Sequence, residues 1–284
     1  DMNLFNDVKS DADLIVSQFV NDGFVCLSQL IPENTIQEWL AWSRAYTSHC
    51  FHQLYQHGHT PFPDSQRYNC KAEDGTIAYA MKCGIKHGFK EIVMRSPGRY
   101  EMSLLHCHEE QHQHPSLVEI ETLLGPLIAS LLGEDSLDDL KRCHVSIVTA
   151  GPGAEDQGWH ADGGHVSVDK HLPCHVLNVF IPLVPIVEEN GPTEIRPGSH
   201  YLTRNLAPLM LAARARKTLR KPVSPLLASR GVLIFDYRTL HRGKANRSEA
   251  DRPILVLTYS KSWYKDICNF PKRSFLVRDA NGSK

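Results

Sequence analysis

The sequence predicts a mainly β protein with flanking helices, in which an antiparallel sandwich or barrel forms the core. Amphipathic helical patterns occupy the first part of the chain, over about residues 1–60. From Cys143 onward the pattern changes to short runs of β-branched and apolar residues, which are separated by clusters of Gly, Pro, Asp and Asn. Short strands joined by turns favour a sandwich or barrel, so we expect the helices to pack outside it.

The helical flank begins with a predicted helix over 11–21, where apolar side chains recur at helical spacing and Gly23 provides the stop. A short strand is predicted over 24–27. Pro32 stands at the first position of a second amphipathic helix, because proline is well tolerated there. This helix is expected to run to about Cys50 and to cover one face of the core.

Four strands are predicted in the second half of the chain, over residues 144–150, 175–184, 231–235 and 254–260. A helical insert is predicted over 206–216. Neither an internal repeat nor a low-complexity linker divides the sequence, so we expect one domain over residues 1–284.

The charge balance excludes several classes of partner. The 284 residues contain 31 Lys and Arg against 32 Asp and Glu, which leaves a net charge of −1. No overall field therefore attracts nucleic acid or an anionic membrane surface. The apolar runs are shorter than the roughly 20 residues that a membrane helix needs, so we expect no membrane span.

The eight cysteines form no CxxC motif, and their irregular spacing differs from that of a disulfide-rich secreted scaffold. We therefore expect reduced thiols in an intracellular, cytoplasmic protein, with a removed organelle-targeting segment as the alternative. The expected assembly is a monomer or a small homo-oligomer.

The strongest chemical signal is a pair of metal-ligand residues in a Gly-rich loop after the predicted strand 144–150. His160 and Asp162 are two positions apart, so in an extended segment their side chains project to the same face. His241, which follows the predicted strand 231–235, is a candidate third ligand. Two histidines and one carboxylate with open coordination positions are typical of non-haem Fe(II) oxygenases.

Arg252 begins the strand after the turn that follows His241, so a hairpin returns it towards the metal. A guanidinium is planar, permanently charged and able to bind a carboxylate through two hydrogen bonds. These are the properties that the far carboxylate of a 2-oxoglutarate cosubstrate requires.

Longer segments around these residues resemble the phytanoyl-CoA dioxygenase family of Fe(II)/2-oxoglutarate oxygenases. The similar segments are FVNDGFVCLSQLIPENTI, WHADGG, NGPTEIRPGSH and FDYRTLHRGKANRSEADRP, and the resemblance covers most of residues 14–265. It implies a double-stranded β-helix, that is, a cupin-like jelly roll, with its core over about residues 140–265.

The resemblance also implies roles for individual residues and for the reaction. His160, Asp162 and His241 would bind Fe(II), Arg252 would anchor 2-oxoglutarate, and Asn178 would be a second contact to it. The implied activity uses O2 as a second cosubstrate, oxidises a C–H bond of a small molecule, and releases succinate and CO2. Hydroxylation, desaturation and the oxidative cyclisations of natural-product biosynthesis all remain open.

Five further residues are candidate substrate contacts: Arg99, Tyr100, Trp159, His165 and Arg196. Trp159 and Arg196 have equally good structural interpretations, as a packed aromatic and a surface charge. Several Arg and Lys residues near the expected mouth favour an acidic substrate.

The sequence leaves two alternatives from other functional classes. Residues 108–112 read HEEQH, which on a helix would make a zinc metallopeptidase with Glu109 as general base. Pro115 would end such a helix just after the motif, and the flanks are too polar for a buried site. The other alternative is a non-catalytic jelly-roll binding protein, which is disfavoured because all four iron and cosubstrate positions carry competent residues.

Overall fold

The computed structural model describes residues 5–6, 12–56, 84–104, 115–167, 169–203, 220–266 and 269–274. Three helices are present in these ranges: α1 (Ala12–Asp22), α2 (Glu33–Gln56) and α3 (Pro115–Leu132). The first five strands are β1 (Phe5–Asn6), β2 (Phe24–Leu27), β3 (Ile92–Ser96), β4 (Arg99–Ser103) and β5 (Leu140–Ala150). The remaining strands are β6 (Val176–Pro182), β7 (Thr193–Ile195), β8 (Val232–Asp236), β9 (His241–Gly243) and β10 (Arg252–Lys261).

A large sheet of eight strands supports the rest of the molecule. Its order is β1-β2-β8-β6-β10-β5-β4-β3, and every pairing except that of β1 with β2 is antiparallel. A second sheet contains β7 and β9, which are also antiparallel. Most neighbours in the large sheet are distant in the sequence, so the strands cross between positions as in a jelly roll. The predicted mainly β fold with flanking helices is confirmed.

Strand β10 lies in the middle of the large sheet and shows how its two faces differ. Successive side chains of a strand point to opposite faces, so Val256 and Thr258 face one side while Leu255, Leu257 and Tyr259 face the other. The first side forms a cavity. The second side is covered by helices, and β10 is buried over almost its whole length.

The helix-covered face contains the main hydrophobic core. Ile15 and Phe19 of α1, Trp39 of α2 and Ile120 of α3 are buried in one cluster with the apolar side chains of the central strands. Burial of apolar surface of this kind is the main favourable contribution to folding. The helices therefore hold the large sheet in shape from behind, away from its cavity face.

Helix α3 was not predicted from the sequence. One side of it packs into the core, while its exposed side carries the apolar residues Val118 and Leu123 as well as polar ones, so it lacks the wholly polar face of a surface helix. Pro115, which was expected to end a helix, instead stands at the first position of α3. In length and composition α3 could cross a membrane, but half of it is buried inside the protein as a core helix.

The other predicted elements differ from the structure mainly at their ends. The two N-terminal helices and all four predicted strands are present, and α2 continues beyond Cys50 to Gln56. The β3–β4 hairpin was missed because polar residues on its cavity face interrupt the apolar pattern of a strand. The predicted helical insert over 206–216 and the HEEQH segment over 108–112 lie outside the described residues.

A buried ion pair holds the turn between β8 and β9. Nε and an Nη atom of Arg238 donate to the two carboxylate oxygens of Asp236 at 2.9 and 2.6 Å, and its other Nη atom donates to the Leu172 carbonyl at 2.8 Å. Both side chains are at most 2 % exposed. Burial by itself raises the pKa of Asp236, but its hydrogen bonds and charge interaction with Arg238 outweigh this and lower it.

We expect Arg238→Met to lower the free energy of unfolding by about 3–5 kcal/mol, because it leaves Asp236 buried without its counter-charge. The more exposed pair of Lys244 and Glu188 provides the matched control, and Lys244→Met should cost about 0–1 kcal/mol. Urea unfolding followed by circular dichroism measures both. Equal losses in the two variants would contradict the role assigned to the buried pair.

Candidate functional site

The cavity between the large sheet and the small sheet has a volume of about 590 Å³. The floor of the cavity is formed by one face of β4, β5, β6 and β10. The wall is formed by β9 and by the loop that ends at Asp162. All five residues predicted to bind iron and 2-oxoglutarate line it: Asn178, His160, Asp162, His241 and Arg252.

His160, Asp162 and His241 form a compact cluster in the wall of this cavity. Their ligand atoms all lie within 4.8 Å of one another. Nε2 of His160 is 3.7 Å from Oδ1 of Asp162, and Nε2 of His241 is 3.5 Å from Oδ2. Two imidazole nitrogens and a carboxylate that converge in this way are a donor set suited to iron.

Backbone pairing places the two histidines side by side. The amide of His160 donates to the carbonyl of His241 at 3.1 Å, and the amide of His241 donates back at 2.9 Å. This isolated antiparallel bridge joins the loop to the start of β9. Residues that are 81 positions apart in the sequence therefore have adjacent side chains.

Each imidazole is oriented by a carbonyl oxygen near its own backbone. Nδ1 of His160 is 2.9 Å from the Gly158 carbonyl, and Nδ1 of His241 is 3.0 Å from the Thr239 carbonyl. With its proton on Nδ1, each ring donates to that carbonyl and keeps the Nε2 lone pair for a metal. Burial lowers the pKa of His241 to about 4, with His160 adding to the effect and Asp162 opposing it.

The third candidate ligand, Asp162, is held by side chains from the large sheet. The amide nitrogen of Asn178 on β6 donates to Oδ2 of Asp162 at 2.7 Å. The hydroxyl of Thr258 on β10 donates to Oδ1 of Asn178, also at 2.7 Å. The structure thus places Asn178 against a metal-ligand candidate, a contact for which the sequence offered no signal.

The backbone around Asp162 is also tightly held. The amides of Asp162 and Gly163 both donate to the carbonyl of Tyr237 at 3.0 Å. The side-chain amide of Asn269, close to the C-terminal end of the described chain, donates to the carbonyl of Asp162 at 2.7 Å. A Cβ atom at Gly163 would lie 2.4 Å from the ring of Tyr237, so this approach requires glycine.

Arg252 and Arg99 lie at one end of the cavity, and each is only 2 % exposed. Nε of Arg252 donates to the Asn190 carbonyl at 3.4 Å. Burial and the neighbouring charge of Arg99 both lower the pKa of Arg252 below its ordinary value. A buried cation of this kind provides a binding site for an anion.

A second polar group, which the sequence did not reveal, faces the cavity from β4 and β5. The carboxylate of Glu101 accepts hydrogen bonds from Arg95 and from Ser146, and His144 Nε2 lies 2.8 Å away. Burial alone would raise the pKa of Glu101, but Arg95 and His144 lower it overall. Arg95 is the extra residue of a β-bulge, which turns its side chain towards Glu101.

The other predicted substrate residues lie outside the residues that line this cavity. Tyr100 faces the opposite side of β4 and packs edge-on against Phe51 of α2. The guanidinium carbons of Arg196 and Arg242 lie 4.7 and 4.9 Å from the centre of the Trp159 ring. His165 has its Nε2 2.9 Å from the hydroxyl of Thr203.

Comparison with known sequences identifies a family and one informative relative. The family model described as Phytanoyl-CoA dioxygenase (PhyH) matches residues 19–254. The chain is 26 % identical over 181 residues to ectoine dioxygenase of Halomonas elongata. That match includes 56 % of this chain and 53 % of the relative, so the chain spans about half the length of this curated relative.

Solved structures of low sequence identity share the fold. AviO1 from Streptomyces viridochromogenes superposes with a TM-score of 0.58 at 18 % identity, over 90 % of this chain and 97 % of that protein. SnoK, a non-haem α-ketoglutarate-dependent carbocyclase of nogalamycin biosynthesis, has a TM-score of 0.57 at 16 % identity, over 90 % and 87 % of the two chains. The double-stranded β-helix predicted from the sequence is therefore confirmed.

We expect Asn178→Ala to weaken the binding of a divalent metal about 10–100-fold, because Asp162 loses the partner that orients it. Calorimetric titration with Mn(II) measures the affinity, and thermal unfolding of the metal-free protein checks the fold. Asn21→Ala, an exposed asparagine on α1, is the matched control and should leave the affinity unchanged. Wild-type affinity in Asn178→Ala would show that Asp162 does not need this partner.

Gly163→Ala should lower the free energy of unfolding by about 1–3 kcal/mol, because the new methyl group overlaps the ring of Tyr237. Gly164→Ala is the matched control, since a Cβ atom there meets nothing within 4 Å. Chemical denaturation compares the two variants. A larger loss in Gly164→Ala would contradict the packing described for this loop.

Proposed function

The chain belongs to the phytanoyl-CoA dioxygenase family, and on this premise we propose that it is an Fe(II)- and 2-oxoglutarate-dependent oxygenase of a small molecule. The observation that carries the proposal is the convergence of His160, Asp162 and His241 within 4.8 Å. In the proposed reaction 2-oxoglutarate and O2 are consumed and a substrate C–H bond is oxidised. For hydroxylation the products are succinate, CO2 and the alcohol.

The residues of the triad fit iron in their chemistry as well as their positions. Each histidine keeps Nε2 for the metal, and the low pKa of His241 keeps its ring neutral at physiological pH. Bound there, Fe(II) would supply the redox chemistry that couples decarboxylation of the oxo acid to C–H oxidation. The protein's part is to hold the ligands rigidly, which it does through Asn178 and the paired backbones of the two histidines.

Arg252 is the proposed anchor for the far carboxylate of 2-oxoglutarate. Its guanidinium lines the same cavity as the triad, and burial excludes the water that would compete for its hydrogen bonds. Asn178 remains a predicted second contact to the cosubstrate. Its amide is already bonded to Asp162 and Thr258, which favours a positioning role instead.

The substrate is proposed to occupy the part of the cavity near Arg95 and Glu101. Three arginines and three carboxylates line the cavity as a whole: Arg95, Arg99, Arg252, Glu101, Asp156 and Asp162. These charges balance, and Arg95 is already paired with Glu101. An acidic substrate remains a prediction, although the cation on this side, Arg95, is already engaged by Glu101.

The type of oxidation belongs to the same proposal. Asp162 favours C–H oxygenation over halogenation, because the related halogenases carry a small residue in place of this carboxylate. Hydroxylation, desaturation and oxidative ring closure differ in the position of the substrate and use the same ligands. The carbocyclase SnoK supports a role in natural-product biosynthesis, as a fold relative only.

An intracellular location is also proposed. Cys26 and Cys174 are buried free thiols, and burial raises the pKa of Cys26 to about 12. A thiol with such a pKa is protonated at physiological pH and resists oxidation.

Anaerobic addition of Fe(II) and 2-oxoglutarate should give the weak visible charge-transfer band of a chelated 2-oxo acid. His160→Ala should abolish the band because it removes a proposed metal ligand. Arg252→Lys should need a higher concentration of 2-oxoglutarate to give the same band intensity, because lysine lacks the two-pronged guanidinium. His49→Ala, which removes an exposed histidine of α2, is the matched control and should keep the band.

Two results would contradict the proposed function. One is the absence of a band in the wild-type protein. The other is zinc that is retained through purification and lost on His108→Ala, which would support the peptidase alternative instead.

A further inference from the structure

Two arginines occupy equivalent positions on either side of one strand. In the large sheet, Ala150 on β5 pairs with Arg99 on β4 and with Arg252 on β10. Residues paired across neighbouring strands point to the same face, so both arginine side chains face the cavity. The sheet itself therefore places two guanidinium groups at one end of the site.

The environment of Arg252 contains little that would balance its charge. Its side chain is buried, and its Nε donates a long hydrogen bond of 3.4 Å to the carbonyl of Asn190. Within the described part of the chain, no carboxylate forms an ion pair with it. The like charge of Arg99 adds to the effect of burial in lowering the pKa of Arg252. A buried guanidinium with a like charge close to it is unfavourable until an anion binds, so Arg252 favours an anionic ligand.

Arg99 is held in place by contacts along its whole length. Its Nη2 donates to the carbonyl of Lys244 at 2.8 Å and to that of Glu155 at 3.4 Å, and its Nε donates to the hydroxyl of Ser96 at 3.3 Å. A Cβ atom at Gly243 would lie 2.6 Å from its Cζ, so the guanidinium crosses directly over the backbone of β9. A long flexible side chain is thereby fixed in one position before any ligand binds.

We infer that Arg99 is a second cationic contact for the far carboxylate of 2-oxoglutarate, so that Arg99 and Arg252 together form a paired guanidinium anchor. The inference rests on the proposed function. A carboxylate has lone pairs for about four hydrogen bonds, so it can accept from two guanidinium groups at once. Arg99 then belongs to the cosubstrate, whereas the sequence predicted it as a substrate contact.

This assignment has a consequence for ligand selectivity. A 2-oxo acid with a second carboxylate gains from both cations, while one without it leaves Arg252 buried without a counter-charge. The paired anchor should therefore discriminate strongly between 2-oxoglutarate and 2-oxopentanoate, which has the same chain length and no far carboxylate.

The test measures anaerobic binding of these two acids to the Mn(II)-loaded protein by calorimetry. Arg99→Gln should weaken 2-oxoglutarate about tenfold or more, the loss expected for a charge-assisted hydrogen bond, and should change 2-oxopentanoate less than about twofold. Arg99→Lys should recover part of the affinity, because it restores the charge without the fork of donors. Arg247→Gln, an exposed arginine of the β9–β10 turn, is the matched control and should bind both acids like the wild type.

A second variant displaces the guanidinium of Arg99 without changing its charge. Gly243→Ala places a methyl group against the guanidinium and should also weaken 2-oxoglutarate. In the Arg99→Gln background the same substitution should have a smaller effect, because the clashing group has been removed. Gly243→Ala by itself keeps the inference testable if thermal unfolding shows that Arg99→Gln does not fold.

The outcomes distinguish a failure of this inference from a failure of the proposed function. The role of Arg99 alone is overturned if the wild-type protein binds Mn(II) and 2-oxoglutarate while Arg99→Gln binds both acids as well as the wild type does. It is also overturned if Arg99→Gln loses affinity for both acids to the same extent. A wild-type protein that does not bind 2-oxoglutarate in the presence of metal overturns the proposed function as well.

Discussion

The reciprocal hydrogen bonds between the backbones of His160 and His241 are the constraint on which the site depends. They join a Gly-rich loop to β9, and the two imidazoles stand beside each other because their residues are directly paired. Each ring is then oriented by a carbonyl two positions earlier in the chain, at Gly158 and Thr239. Backbone groups thus set the direction in which both Nε2 atoms point.

The large sheet supplies the floor of the cavity that faces this bridge. Its central strand β10 carries Arg252 and Thr258 on the cavity side, β6 adds Asn178 and β4 adds Glu101. Because β-strand side chains alternate, the polar residues of the site are interleaved with the apolar residues of the core. A rigid, helix-backed sheet therefore serves both as the hydrophobic framework and as the floor of the cavity.

Charge is distributed unevenly along the cavity. One end holds two buried guanidinium groups, while the opposite side has the ion pair of Arg95 and Glu101, with His144 beside it. An anionic cosubstrate gains most at the first end, where Arg252 forms no ion pair with a carboxylate among the described residues. The second side offers donors and acceptors already matched to one another, which suits a substrate recognised by hydrogen bonds and shape.

The sequence by itself predicted the candidate ligand triad, the arginine that begins β10 and the mainly β fold, because the HxD spacing, the segments around His241 and Arg252, and the strand and turn patterns can each be recognised locally. It did not reveal α3, whose exposed side carries the apolar residues Val118 and Leu123 and so weakens the amphipathic signal, nor the β3–β4 hairpin with Glu101. Contacts between distant strands decided the rest. Asn178 meets Asp162, and Arg99 lies beside Arg252, only because the sheet brings residues together that are far apart in the chain. No local pattern records such neighbours, since register across a sheet is set by the packing of the whole domain.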